Sequence, residues 1–211
     1  MKNVCLVNGS LRGRKAASLE FLRDIALRLP DQEYSKKIIT VRAKVKEKYP
    51  EDMLKSLAAA DAIIFVFPLH NYGIPGALMR LLEDYYQYQK TGNSPKDTRV
   101  YVVVNCGFPR PGETCGEAVR VIRNFCRRLS LNWRFAICIG TGPVVVMTRR
   151  IPFLYPGLKM AYAAIASDIQ SADNEKKNDY LIKPVIPETI ITMIKKFYEK
   201  KGRMIERDKR S

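Results

Sequence analysis

The stretch Asp61-Ala62-Ile63-Ile64-Phe65-Val66-Phe67-Pro68 decides the fold. From Ala62 to Phe67 every position is apolar. A strand with one wet face alternates; a strand apolar throughout is covered on both faces, as in a parallel sheet flanked by helices. Pro68 lacks an amide hydrogen and ends the run. Working outward, the chain repeats such strands and separates them with helical patterns. Upstream, Asn3 to Asn8 is a short apolar strand closed by the turn signal Asn8-Gly9-Ser10. Ser18 to Leu29 carries Leu19, Leu22, Ile25, Ala26 and Leu29 at helical spacing, and Pro30 stops it. Lys37 to Val41 reads as a strand, and Glu51 to Ala60 as a helix with Met53, Leu54, Leu57 and Ala58 on one face. Downstream, Pro75 to Tyr86 is a helix whose proline suits a first turn. Arg99 to Asn105 is a strand, Glu117 to Leu129 a helix and Trp133 to Gly140 the fifth strand. Lys159 to Ile169 and Ile186 to Lys201 are the last helices expected.

Strands that alternate with helices in this way form α/β folds: a doubly wound parallel sheet with helices on both faces. Right-handed crossovers leave few topologies, and five strands fit the order 2-1-3-4-5. The expected division is residues 1–175 as the sheet domain and 176–211 as a basic helical extension packed on it. No internal repeat or low-complexity segment interrupts the pattern.

Composition narrows the class. The chain has 211 residues, enough for one domain with a modest extension, and 46 % hydrophobic content, enough for a packed core. Its five cysteines (Cys5, Cys106, Cys115, Cys126 and Cys138) form no C-x-x-C pair, which argues against a zinc or iron–sulfur centre. An odd number of thiols, with no signal-like segment before the first strand, leads to the expectation of a reducing, cytoplasmic setting. No apolar run reaches the roughly 18–20 residues that span a bilayer. The formal net charge of +16 favours anionic partners: nucleotides, nucleic acid or acidic lipid. Part of it is concentrated at the C-terminus, from Lys195 to Arg210, and reads as a solvated basic tail.

In an open α/β sheet, ligands bind beyond the carboxyl ends of the strands, near the point where strand order reverses. Three loops qualify. Asn8-Gly9-Ser10-Leu11-Arg12-Gly13-Arg14-Lys15-Ala16-Ala17-Ser18 offers hydroxyls, cations and a following helix start, all suited to a phosphate. It lacks both G-x-x-x-x-G-K-[ST] and G-x-G-x-x-G, so neither a triphosphate P-loop nor a dinucleotide fingerprint is present. Pro68-Leu69-His70-Asn71-Tyr72-Gly73-Ile74-Pro75-Gly76 follows the third strand and holds the single histidine. Asn105-Cys106-Gly107-Phe108-Pro109-Arg110-Pro111-Gly112 follows the fourth.

With these three loops in view, the chain resembles the flavodoxin-like NAD(P)H-dependent oxidoreductases, the NADPH-dependent FMN reductase family. Val7-Asn8-Gly9-Ser10-Leu11-Arg12 is similar to that family's first loop, roughly G-S-x-R, which wraps the FMN phosphate. The resemblance implies a flavodoxin-like fold, with Ser10, Leu11, Arg12 and Ser18 around the phosphate. It assigns Pro68, Leu69, His70, Asn71, Tyr72 and Gly73 to the isoalloxazine ring. Asn105, Cys106, Gly107 and Phe108 would approach its pyrimidine edge. His70 stands where the family usually has Tyr, and Arg80 near its usual Lys. Asn132-Trp133 and Gly140-Thr141-Gly142-Pro143 also resemble larger members.

The expected function is therefore FMN-dependent oxidoreduction, with NAD(P)H as co-substrate and a small-molecule electron acceptor. FMN carries the chemistry and the protein orients it. This agrees with the lack of a Ser–His–Asp set, paired carboxylates or metal ligands, and no side chain is assigned as an obligate acid or base. A flavodoxin-type electron carrier is the second reading, and a protein that binds anions or membrane through its charge the third. A homodimer is expected through the aromatic-rich stretch Leu82 to Tyr88. Nucleic acid is not an expected partner. Membrane contact through Arg149 to Tyr155 or the final helix is weighed and not favoured.

Overall fold

The computed structural model describes residues 1–41, 47–92, 97–148, 154–171, 173, 175, 177–185, 189, 190, 193 and 196. The chain begins with β1 (Lys2–Asn8), a 3₁₀ turn (Gly13–Lys15), α1 (Ala17–Ala26), β2 (Tyr34–Thr40) and α2 (Glu51–Ala58). Next come β3 (Ala62–Pro68), α3 (Gly76–Lys90), β4 (Arg99–Asn105), α4 (Pro111–Thr114) and α5 (Gly116–Arg128). It continues through β5 (Asn132–Ile139), α6 (Gly142–Thr148), α7 (Leu158–Gln170) and β6 (Tyr180–Ile182).

Among the described residues all six strands run parallel in one sheet of order β2-β1-β3-β4-β5-β6. The expected order 2-1-3-4-5 is thus extended, and the expectation of five strands is corrected to six. Tyr180-Leu181-Ile182 sits in a polar, lysine-rich stretch and is too short to show a period of its own. It pairs with Ile137, Cys138 and Ile139 at the sheet's edge, so the sheet continues past residue 175.

Alternation along the strands builds two cores. Val7, Phe65, Val102 and Ala136 point to one face, under Leu57 of α2, Leu78, Leu81 and Tyr85 of α3, and Ile122 of α5. Leu6, Ile64, Val103 and Ile137 point to the other, under Phe21, Leu22 and Ile25 of α1 and Tyr162 and Ile165 of α7. β3 is buried from Ala62 to Phe67, which is why its sequence is apolar on both faces. β2 lies at an edge; it buries Tyr34 and Ile39 on opposite faces and leaves Ser35 and Lys37 exposed, so its start three residues before Lys37 carried no apolar signal.

One irregularity anchors the amino edge of the sheet. The β4–β5 register shifts between Val100, which pairs with Trp133, and Tyr101, which pairs with Phe135. Arg134 is the extra residue of this bulge. The shift lets Arg134 reach the α7 side of the sheet, where Phe135 also packs. There its guanidinium grips buried Asp168 with two bonds of 2.7 and 2.9 Å. Tyr101 Oη donates to the same carboxylate at 2.7 Å, and Lys177 Nζ stands 2.6 Å from it. Burial by itself pushes the Asp168 pKa up, but hydrogen bonds from Arg134, Lys177 and Tyr101 outweigh it and hold the carboxyl well below the usual range.

The expected helix Ile186–Lys201 and the basic tail fall mostly outside the described residues, as do Arg149 to Phe153.

Candidate active site

Strand register sets the site. Asn8 pairs with Val66, Pro68 with Asn105, and Asn105 with Ile139, so the carboxyl ends of β1, β3, β4 and β5 lie nearly level. The three loops singled out from the sequence all leave this edge. Backbone bonds carry them a residue further: Gly9 N donates to Val66 O at 2.8 Å, Leu69 N to Asn105 O at 2.8 Å, and Cys106 N to Ile139 O at 2.9 Å.

The β1 loop turns at Gly9. A Cβ there would stand 2.7 Å from Phe67 Cβ and 3.0 Å from Leu78 Cδ2, so only glycine lets the loop lie this close to β3 and α3. Ser10 is buried; its amide donates to Asn8 Oδ1 at 3.2 Å and its Oγ accepts from the Arg12 amide at 3.3 Å. Leu11 and Arg12 are exposed. The side chain of Arg14 lies outside the description. α1 then starts without a side-chain cap, because its N-cap is Ala16. Its first-turn amides therefore lack the usual side-chain acceptor. Ser18 is fully buried one residue into α1, and its Oγ accepts from Asn105 Nδ2 at 3.1 Å.

The β3 loop is a two-residue hairpin turn. His70 N donates to Gly73 O at 3.0 Å and Gly73 N to His70 O at 2.7 Å. Asn71 and Tyr72 between them have φ of 45° and 62°. Positive φ at both central residues defines the I′ turn; Asn accepts it readily and Tyr does not. Pro68 and Leu69 are half-buried, whereas His70, Asn71 and Tyr72 are exposed. The Tyr72 ring stacks on Phe108 of the β4 loop, centroids 5.9 Å apart and planes 15° apart. Both rings keep about half their surface exposed, 55 % and 46 %, so the pair forms an apolar plate facing solvent.

The β4 loop begins with two buried residues, Asn105 and Cys106, and then emerges at Gly107 and Phe108. Nothing lies within 4 Å of where a Gly107 Cβ would stand, so the backbone is open there to an approaching ligand. The β5 loop, noted in the sequence but given no role, holds this loop from behind. Gly142 N donates to Cys106 O at 2.7 Å and Thr141 N to Phe108 O at 2.9 Å. A Cβ on Gly142 would meet Asn105 Oδ1 at 2.9 Å. The Gly-Thr-Gly run directly after the fifth strand was the available signal for this clamp.

Beneath the same loop Cys115 is in side-chain contact with Cys106 and Cys138, and Thr114 Oγ1 lies 3.5 Å from Cys106 Sγ. The contact with Cys115, and then burial, push the Cys106 thiol well up. Such thiols stay protonated and are poor nucleophiles. All five cysteines are free and buried, and among the described residues no cluster of His, Cys, Asp or Glu is arranged to hold a metal.

A family model described as a flavodoxin-like fold matches residues 2–132, well over half the chain. The chain belongs to the flavodoxin-like fold family. No curated protein matches it by sequence. Solved structures extend the likeness to about four fifths of the chain. An NAD(P)H:quinone oxidoreductase from Methanothermobacter marburgensis has 15 % identity and a TM-score of 0.61, covering 82 % of this chain and 98 % of that one. An FMN-dependent NADH-azoreductase from Bacillus anthracis str. Ames Ancestor, determined with FMN, has 12 % identity and a TM-score of 0.56 over 81 % and 100 %. An apo NADH:FMN oxidoreductase has 10 % identity and a TM-score of 0.58 over 82 % and 92 %. At such identities the likeness establishes the flavodoxin-like fold. Within it, the loops after β1, β3 and β4 occupy the switch-point edge.

Proposed function

We propose that this flavodoxin-like protein is an FMN-dependent NAD(P)H oxidoreductase. One observation carries the reading: the β1, β3 and β4 loops converge at one edge with complementary chemistries. The β1 loop offers an uncapped helix start beside Arg12 and Lys15, suited to a phosphate dianion. The β3 and β4 loops offer an apolar plate and open backbone at Gly107, suited to a flat heteroaromatic ring. FMN joins those two chemistries in one molecule, and the residues present fit it. Leu11 and Arg12 would surround the phosphate, on a turn that buried Ser10 braces by accepting from the Arg12 amide. Pro68 to Gly73 would line the ring, with Gly107 and Phe108 at its pyrimidine edge.

Bound FMN would supply hydride chemistry between a reduced nicotinamide and a small-molecule acceptor. The chain's own part is to orient the ring, exclude water with the Tyr72–Phe108 plate, and attract anionic nucleotides through its positive charge. Nucleotide phosphates are anions of the kind such a charge attracts. Among the described residues no helix is long and apolar enough to cross a bilayer. Five free, buried thiols support a reducing, cytoplasmic compartment.

The test is direct. Purified protein mixed with FMN should show a perturbed oxidised-flavin spectrum and should oxidise NADH or NADPH when a quinone or azo acceptor is added. Bound flavin without turnover favours the electron carrier. No uptake of FMN refutes both readings.

We also propose a homodimer; because Leu82 and Tyr85 of the expected stretch are buried in this chain's own core, the face proposed is the one between α3 and α5. Met79, Tyr86, Val121 and Phe125 line a cleft of about 360 Å³ between these helices. Glu83 lies on its α3 rim and Arg128 on its α5 rim. A two-fold axis over the cleft would set each acidic rim against the partner's basic one.

A further inference from the structure

Family resemblance would have Ser18 touch the cofactor's phosphate and Asn105 its ring. The geometry points elsewhere. Phe67 O can only accept, so the Asn105 group 3.1 Å from it is the NH₂, and the amide's orientation is fixed. The other N–H of that group goes to Ser18 Oγ, also at 3.1 Å. Both side-chain donors of Asn105 are thereby used inside the protein. Its Oδ1 is backed by Gly142, and its carbonyl accepts from Leu69 N at 2.8 Å. Asn105 is 5 % exposed and Ser18 0 %, so neither presents surface to a ligand.

We infer that Asn105 and Ser18 are positioning residues, whose mutual hydrogen bond fixes the spacing between the β1 loop and the β3 and β4 loops. Asn105 stands where four segments meet: the start of α1 through Ser18, the end of β3 through Phe67, the β3 loop through Leu69 and the β5 loop through Gly142. A cofactor with a phosphate at one end and a ring at the other needs both grips at a set distance. A bond between the grips, buried and away from the ligand, supplies that distance before the ligand arrives. This inference rests on the flavin reading for its purpose, and on the structure alone for the coupling.

The experiment has two arms that separate those dependencies. In the first, amide hydrogen exchange is measured on flavin-free wild-type protein, Ser18→Ala and Asn105→Asp. Ser18→Ala removes one small oxygen from a buried site and is expected to fold. Exchange should rise about fivefold, the loss of one ordinary hydrogen bond, in residues 9–13 and 106–108 together. Asn105→Asp keeps the shape but sets an acceptor against Phe67 O, so exchange should also rise at Leu69 and His70. Unchanged exchange in Ser18→Ala overturns the inference, whatever ligand the protein takes. In the second arm, FMN and riboflavin are titrated by quenching of their fluorescence. Ser18→Ala should weaken both by a similar factor, about fivefold. A loss confined to FMN would assign Ser18 to the phosphate and overturn the inference. If wild-type protein binds neither flavin, the flavin reading fails, and the exchange arm decides the coupling by itself.

Discussion

At the scale of single residues, two positions show how little room the chain leaves for change. Gly9 is one. An added methyl would stand 2.7 Å from Phe67 Cβ, which belongs to the middle of the core and cannot withdraw. Gly9→Ala should cost about 1–3 kcal/mol by overpacking, read as a lower urea midpoint at unchanged slope. A midpoint equal to wild type would show that the β1 loop moves freely. The other is Asp168, whose folded pKa lies below its unfolded value of about 4. The unfolded chain therefore takes up the proton first on acidification. The carboxylate's stabilisation is whole above about pH 5 and is lost as pH falls through the folded value. Asp168→Asn leaves Arg134 buried without its anion and should cost about 3–5 kcal/mol at neutral pH. The gap between variant and wild type should narrow steadily as pH falls below about 4, where the unfolded chain takes up its proton, because a protonated Asp resembles Asn. Denaturant melts across pH check this, and a gap constant with pH would contradict the ionised network.

At the scale of elements, the sequence was legible where burial is two-sided and illegible where it is not. β1, β3, β4 and β5 were visible as apolar runs because helices cover both their faces. The start of β2 and all of β6 were hidden, because an edge strand needs few apolar residues and its pairing partners lie far away in sequence. α3 runs to Lys90, beyond the expected end at Tyr86, since its last turn is polar and leaves no stripe to read. The candidate site was legible as three loops, since turn residues such as Gly9 and Asn71 declare themselves. The Asn105–Ser18 bond was not, for it joins residues 87 apart whose types suit either a ligand or each other. The α3–α5 face yields its own prediction. Met79 is 37 % exposed on the rim of the cleft. Met79→Lys puts a cation on the α3 rim, where the two-fold sets it against the partner's basic rim, without disturbing the core, and should shift the protein from dimer to monomer in sedimentation velocity while its melting by far-UV circular dichroism remains cooperative. Wild-type protein sedimenting as a monomer at the same concentration would refute the dimer.

At the scale of the whole molecule, the charge of +16 and the two-ended site make one quantitative expectation together. A ligand that binds only the folded state stabilises it by about 2.7 kcal/mol at a hundred times its Kd. For a chain of this size that raises the melting temperature by roughly 5–10 °C. FMN should do this at low salt. Riboflavin has the ring without the phosphate and should give a smaller rise. The difference between them measures the β1 loop, with Arg12, Lys15 and the uncapped start of α1. Arg12 and Lys15 are exposed, so salt screens them; at 1 M ionic strength the Debye length is about 3 Å. The riboflavin rise depends on apolar stacking and should hold or grow in a strongly hydrated salt such as sulfate. Scanning calorimetry with each flavin, at low and high salt, reads both halves of the site independently. If FMN and riboflavin give equal rises at low salt, the β1 loop is not a phosphate site and the positive charge serves some other anion. If salt removes both rises alike, the Tyr72–Phe108 plate does not carry the ring, and the division of the site between loops is wrong.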